Sequence, residues 1–137
     1  MKLKNKLYIC SMETLTKKEE EIMLIFWDIK EGFVKDIINK LPEPKPPYNT
    51  ISSVVRILEK KGFLGFRSFG KSHMYFPVIE KKTYRKYAFK TMMKGYFEGS
   101  YKNVISYLVN DEDLSEKDIE EISKLQEILK KKSGEES

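Results

Sequence analysis

The 137-residue sequence contains a single cysteine, Cys10, and a single histidine, His73. One thiol forbids an intrachain disulfide, and one Cys with one His cannot assemble the usual ligand sets of a zinc site. No apolar run approaches the roughly 18–20 residues that a membrane span requires. The basic opening, Met1-Lys2-Leu3-Lys4-Asn5-Lys6, is followed by no sustained apolar stretch or small-residue cleavage site, so it does not read as a secretory signal. A phosphate-cradling Gly-x-Gly-x-x-Gly loop is also missing; Gly62, Gly65 and Gly70 read as turn or strand glycines. These absences exclude a secreted disulfide scaffold, a transmembrane protein and a Cys/His metalloenzyme. They leave a cytoplasmic protein with no metal and no cofactor as the expectation. Catalysis finds no footing. His73 has no relay partner in the sequence, and Glu19-Glu20-Glu21 reads as an acidic first helical turn, not a paired-carboxylate site.

What is present is a core and an uneven charge. Hydrophobic residues make up 40%, with eight Phe, eight Tyr and one Trp, which suffices for one compact domain plus an appendage. Residues 1–97 carry 20 Lys/Arg against 10 Asp/Glu, whereas residues 98–137 carry 6 against 11. Between Lys45 and Lys94 there are 12 basic residues and only two acids, Glu59 and Glu80. A basic region attracts polyanions, and phosphate neutralisation supplies most non-specific DNA affinity. The first part of the chain suits a polyanion, and the last forty residues suit something else.

Local chemistry then sets the elements. Thr16-Lys17-Lys18-Glu19 has capping-box spacing and predicts a helix carrying Ile22, Ile25, Phe26 and Ile29 inward, ended by Gly32. Phe33-Val34 reads as a very short strand, and Lys35 to Leu41 as a short helix. Pro42-Glu43-Pro44-Lys45-Pro46-Pro47 stops that helix, because proline lacks the amide donor and restricts its predecessor. A third helix, from about Asn49 to Lys61, puts Ile51, Val54, Val55 and Leu58 on one side. Asn49, Ser52, Ser53, Arg56 and Lys60 fall opposite, with Glu59 at the edge. Gly62 supplies the left-handed stop. Two aromatic-rich strands, Phe63 to Ser68 and Ser72 to Val78, form a glycine-turned hairpin. Helix, helix, helix, ribbon is the order of a winged helix-turn-helix. Three further helices follow, at 80–94, 101–109 and from Ser115. They carry more apolar surface than they can bury by themselves.

In a helix-turn-helix the second helix of the motif enters the major groove, where Arg forks onto guanine, Asn onto adenine, and hydroxyls reach bases or phosphates. The candidate DNA contacts are therefore Tyr48, Asn49, Thr50, Ser52, Ser53, Arg56 and Lys60 on the third helix, with Lys71 and His73 on the hairpin. Candidate dimerisation residues are Phe97, Val104, Ile105, Leu108, Ile119, Ile122, Leu125 and Leu129. The domain reading is a basic arm (1–14), a winged-helix domain (15–79), a helical dimerisation region (80–132) and a disordered tail (133–137). The fold class is mainly α with a small antiparallel β wing.

Several motifs together resemble the penicillinase-repressor (BlaI/MecI/CopY) family. Leu15-Thr16-Lys17-Lys18-Glu19-Glu20-Glu21-Ile22-Met23 followed by Phe26-Trp27 is similar to its opening "LTxxExxIM…W". Tyr48-Asn49-Thr50-Ile51 resembles "YTTV", with Asn49 in place of Thr. Leu58-Glu59-Lys60-Lys61-Gly62-Phe63-Leu64 resembles "LxxKGxL", and Gly70-Lys71 through Tyr75-Phe76-Pro77-Val78 resembles "GRxxxYxPxV". Phe97-Glu98-Gly99-Ser100 and Leu114-Ser115-Glu116-Lys117-Asp118-Ile119 are similar to "FxGS" and "LSxEEL". The resemblance implies a homodimeric repressor on a palindromic double-stranded operator. In the β-lactam branch it implies release when a membrane sensor metalloprotease signals and the dimerisation region is cut. By position that cut falls at Ser106-Tyr107, where Ser106 stands in place of the usual Asn. The Cys-x-Cys pair of the copper branch is absent. Two other readings stay open: a regulator binding a small aromatic effector among Tyr84, Tyr87, Met92 and Phe97, and a winged-helix protein–protein module.

Overall fold

The computed structural model describes residues 13–111 and 113–136. Cys10 and nearly all of the basic N-terminal arm lie outside the described residues. The order is α1 (Lys17–Ile29), α2 (Val34–Lys40), α3 (Tyr48–Lys60), β1 (Leu64–Phe69), β2 (Ser72–Pro77), α4 (Lys81–Phe97), α5 (Tyr101–Val109) and α6 (Glu116–Glu136). The chain divides into two compact units, one ending at Thr91 and the other beginning at Met92.

In the first unit three helices and the hairpin close over one core. α1 opens with the reciprocal cap expected from its sequence: the Glu19 amide donates to Thr16 Oγ1 at 3.2 Å, and the Thr16 amide to Glu19 Oε1 at 2.8 Å. Ile22, Met23 and Phe26 of α1 meet Val34, Ile37 and Leu41 of the α2 region and Ile51, Val55 and Leu58 of α3. Each such fully buried side chain contributes about 1.5–3 kcal/mol. Burial of this stripe, more than helix propensity, fixes which side of α3 faces out.

The end of α1 differs from the sequence reading. The stop is Lys30, at φ 73°, whose amide donates to Phe26 O at 2.7 Å. Gly32 has another task. Its amide and carbonyl exchange hydrogen bonds with Tyr75 at 3.0 and 2.9 Å, adding a one-residue bridge to the wing. A Cβ there would lie 2.8 Å from Ile29 Cδ1. The strand expected at Phe33-Val34 is therefore this bridge, and Val34 already begins α2. Asp36 Oδ2 accepts from the Phe33 amide at 2.8 Å and so caps that helix.

The proline connector is tied down by Lys45, whose ammonium donates to the carbonyls of Leu41 and Asn39 at the end of α2. Gly62 takes φ 88° and closes α3 as expected. The wing pairs Leu64 with Pro77 through Phe69 with Ser72 in antiparallel register. Gly70, at φ 60°, is the first central residue of its two-residue turn, the glycine placement of a type II′ hairpin. α4 is anchored to this unit from its first turns. Tyr84 is buried, accepts the Leu15 amide at 2.9 Å and packs on Trp27 and Phe63. The Trp27 indole donates to Ile79 O at 2.9 Å.

In the second unit, α5 is capped by Ser100 Oγ, and α6 by the reciprocal pair of Ser115 and Asp118. Phe97 meets Tyr107 edge to face. Helix α6 continues to Glu136, through the segment the sequence reading assigned to a tail. No helix among the described residues is long and apolar enough to cross a membrane.

Candidate nucleic-acid interface

The outer side of α3 and the concave side of the wing enclose one open groove of about 540 Å³. Its walls are Phe33 to Asp36 at the start of α2, Tyr48, Ser52, Arg56 and Glu59 along α3, and Phe66, Lys71, Ser72, His73 and Tyr75 from the hairpin. Residues up to 42 positions apart meet there because α3 buries Ile51, Val55 and Leu58 and so turns the 48/52/56/59 edge toward the hairpin. These positions lie three or four residues apart and form one helical row.

Of the nine candidate DNA contacts, five line this groove: Tyr48, Ser52, Arg56, Lys71 and His73. Asn49, Thr50, Ser53 and Lys60 lie outside it, exposed on α3. Ser53 turns its hydroxyl back to Asn49 O at 2.8 Å. Arg67, on the hairpin flank, pairs with Glu31 and lies over the Phe76 ring, and it is not among the groove residues.

The structure adds groove residues that the sequence reading did not single out: Lys35, Asp36 and Phe66. Phe66 stacks on His73 with ring centroids 4.2 Å apart and planes 13° from parallel, which fixes the imidazole on the wing surface. In the register of the hairpin Phe66 faces Tyr75 and Ser68 faces His73, and strand alternation puts all four on one side of the wing. Burial lifts the Tyr75 phenol above its ordinary range; Glu59 adds to the rise and Arg56 opposes it. Its hydroxyl therefore stays neutral and available for hydrogen bonding.

The groove presents three cations, Lys35, Arg56 and Lys71, and two carboxylates, of which Asp36 is engaged in capping. Donors on a helix edge, with a lysine at the hairpin turn opposite, suit a polyanionic strand edge beside α3. No group of three or more potential metal ligands occurs among the described residues. Tyr84, one of the residues considered for an aromatic effector, belongs to the core.

The predicted dimerisation residues all fall in the second unit. Phe97, Val104, Leu108 and Ile122 are half-buried there, while Ile105, Ile119, Leu125 and Leu129 are more than half exposed. Ser106 and Tyr107 lie exposed on α5.

The family model described as "Penicillinase repressor" matches residues 15–130. The methicillin resistance regulatory protein MecI of Staphylococcus aureus (strain N315) is 29% identical over 119 residues, covering 86% of this chain and 94% of that protein. MecI of Mammaliicoccus sciuri is 28% identical over the same length and coverage. The solution structure of the DNA binding domain of the repressor BlaI is similar with a TM-score of 0.46 and 25% identity, covering 52% of this chain and 88% of that one.

Proposed function

The chain belongs to the penicillinase repressor family of sequence-specific DNA-binding repressors, and from that premise we propose that it acts as a homodimer on a two-fold operator. It is a transcriptional regulator and not an enzyme. The observation that carries the reading is the groove, where Ser52 and Arg56 of α3 share one concave surface with Lys71 and His73 of the wing. In this reading α3 enters the major groove, with Arg56 on a base edge and Asn49, Thr50 and Ser53 on bases or phosphates. Lys60, Lys71 and His73 hold backbone.

Self-association rests on the second unit. Tyr101, Ile105, Val109, Leu125, Ile128 and Leu129 expose more than half their surface. Apolar exposure on that scale marks an association surface. Two linked reading heads bind through effective concentration, so splitting the second unit releases DNA without altering α3. A cut at Ser106-Tyr107 would separate α6 from the reading head. The signalling partner for such a cut is a membrane sensor metalloprotease, acting on a repressor in the cytoplasm.

The test is binding to DNA upstream of the protein's own gene, titrated against random DNA across a salt series. A two-fold footprint with affinity at least ~10³ above random DNA is expected. Equal, steeply salt-dependent binding to both DNAs would leave only a basic surface. Arg56→Ala should cost about 1–3 kcal/mol at the matched site while leaving random DNA nearly unaffected. An equal loss on both would make Arg56 a phosphate contact.

A further inference from the structure

Helix α4 opposes ordinary helix construction at several points. Its sequence carries Lys81, Lys82, Arg85, Lys86, Lys90 and Lys94 and no acid at all. Lys81 and Lys82 sit in the first turn, where the positive end of the helix dipole disfavours cations. Lys81–Arg85, Lys82–Lys86, Lys86–Lys90 and Lys90–Lys94 are all like-charge pairs at i,i+4 spacing, each destabilising. All six are exposed, and none is in an ion pair among the described residues. Glu80, just before the first turn, is the one acid adjoining the start of the helix, and no ion pair among the described residues neutralises the six cations, which points to an external polyanion.

The burial pattern gives the face its direction. Tyr84, Tyr87 and Ala88 pack on the core, so the cations of the first three turns lie on the outward side. None of them lines the groove beside α3. The nine helical steps from Lys81 to Lys90 span ~14 Å and carry five cations, about one per 3–4 Å, close to the ~3.4 Å spacing of charge along one nucleic-acid strand. A lipid surface fits less well. Interfacial helices need a free apolar side to bury, whereas that side of α4 faces the core and leaves Phe89 as the one large apolar side chain exposed between residues 81 and 90.

We propose that the outer face of α4 is a second, sequence-independent DNA-backbone contact, engaging duplex that flanks the segment read by α3 and the wing. This inference rests on the DNA-binding reading. The face adds affinity and salt dependence and leaves base discrimination to α3.

The test uses the full-length protein and a variant carrying Lys82→Gln, Arg85→Gln, Lys86→Gln and Lys90→Gln, with its helix content checked by circular dichroism. Each binds two duplexes, one trimmed to the footprint and one extended by about two helical turns, ~10 bp each, at either end. On the extended duplex the slope of log K against log salt should fall by about 2 to 3.6 for each bound protomer of the variant, and by about twice that for a dimer engaging both flanks, at ~0.9 per lost phosphate contact. The trimmed duplex and the specific-to-random ratio should be nearly unchanged, and Arg85→Lys alone should behave as wild type. Equal slopes for both proteins on the extended duplex overturn the inference. So does weakened self-association of the variant in sedimentation, which would give the face to a second copy. Wild-type binding to phosphatidylserine vesicles that the variant loses, with DNA slopes unaltered, would overturn it in favour of lipid. A wild type that binds neither duplex removes the DNA reading itself, and that arm involves no variant.

Discussion

Leu125→Asp is expected to lower operator affinity by about 10²–10⁴-fold while leaving the first unit folded. Leu125 lies on α6 with 58% of its surface exposed, beside Ile128 at 61% and Leu129 at 64%. In the second unit few apolar side chains are fully enclosed, and Met93 is the one buried hydrophobic residue there among those described. A carboxylate on this face costs an isolated chain almost nothing, because the position is already in water. Placed inside an interface it would be desolvated without a partner, which is strongly unfavourable. The substitution therefore separates surface from interface. Trp27, the single tryptophan, lies in the first unit and reports its melting through indole fluorescence. The expected result is an unchanged melt, a monomer in sedimentation, and weak binding to a single half-site. A variant that remains dimeric would show that α6 is not the interface.

The elements legible in the sequence are those set by neighbours three or four positions apart. The Thr16/Glu19 box, the Ile51/Val55/Leu58 stripe, the Gly62 stop and the Gly70 turn are of this kind, and the structure has each in place. Gly32 illustrates the opposite case. A glycine after a helical run reads as a stop, yet Gly32 bridges through its backbone to Tyr75, 43 positions away, its missing side chain leaves room for Ile29 and Asp36, and Lys30 takes the positive φ instead. The groove was legible by half for the same reason. The polar row of α3 follows from period alone, whereas Lys35 and Phe66 join it only once the hairpin has folded back on α2 and α3. The charge of α4 was visible in the composition; its outward direction needed the burial of Tyr84 and Tyr87.

Glu19 shows a local motif given a second role by tertiary structure, and its replacement should have the largest effect on stability. Besides capping α1, both its carboxylate oxygens accept from Lys61 Nζ at 3.0 Å, across 42 positions. Lys61 ends α3, so the pair clamps the start of α1 to the end of the helix proposed to read DNA. Only 6% of the Glu19 side chain is exposed, against 26% for Lys61. Glu19→Ala removes a cap worth about 1 kcal/mol and leaves Lys61 short of its main partner. Breaking a fully buried pair costs about 3–5 kcal/mol, and the partial exposure of Lys61 reduces that share. The expected total is ~2–4 kcal/mol, a large fraction of a small domain's stability. Adding Lys61→Met should restore ~1 kcal/mol by removing the stranded charge.

The same carboxylate predicts an acid dependence. Burial alone would raise its pKa, but hydrogen bonds from the Thr16 amide and hydroxyl and from Lys61, together with the Lys61 charge, outweigh burial and hold it below 4.5. A depressed folded-state pKa gives stability that is complete above the unfolded value and is lost as pH falls through the folded one. The melting temperature of the wild type, followed through Trp27, should therefore drop more steeply below about pH 4.5 than that of Glu19→Ala. Parallel curves for the two proteins would mean that the ion pair contributes no differential stability. A steeper wild-type fall, accompanied by loss of operator selectivity in Glu19→Ala at neutral pH, would show that this clamp sets the presentation of α3.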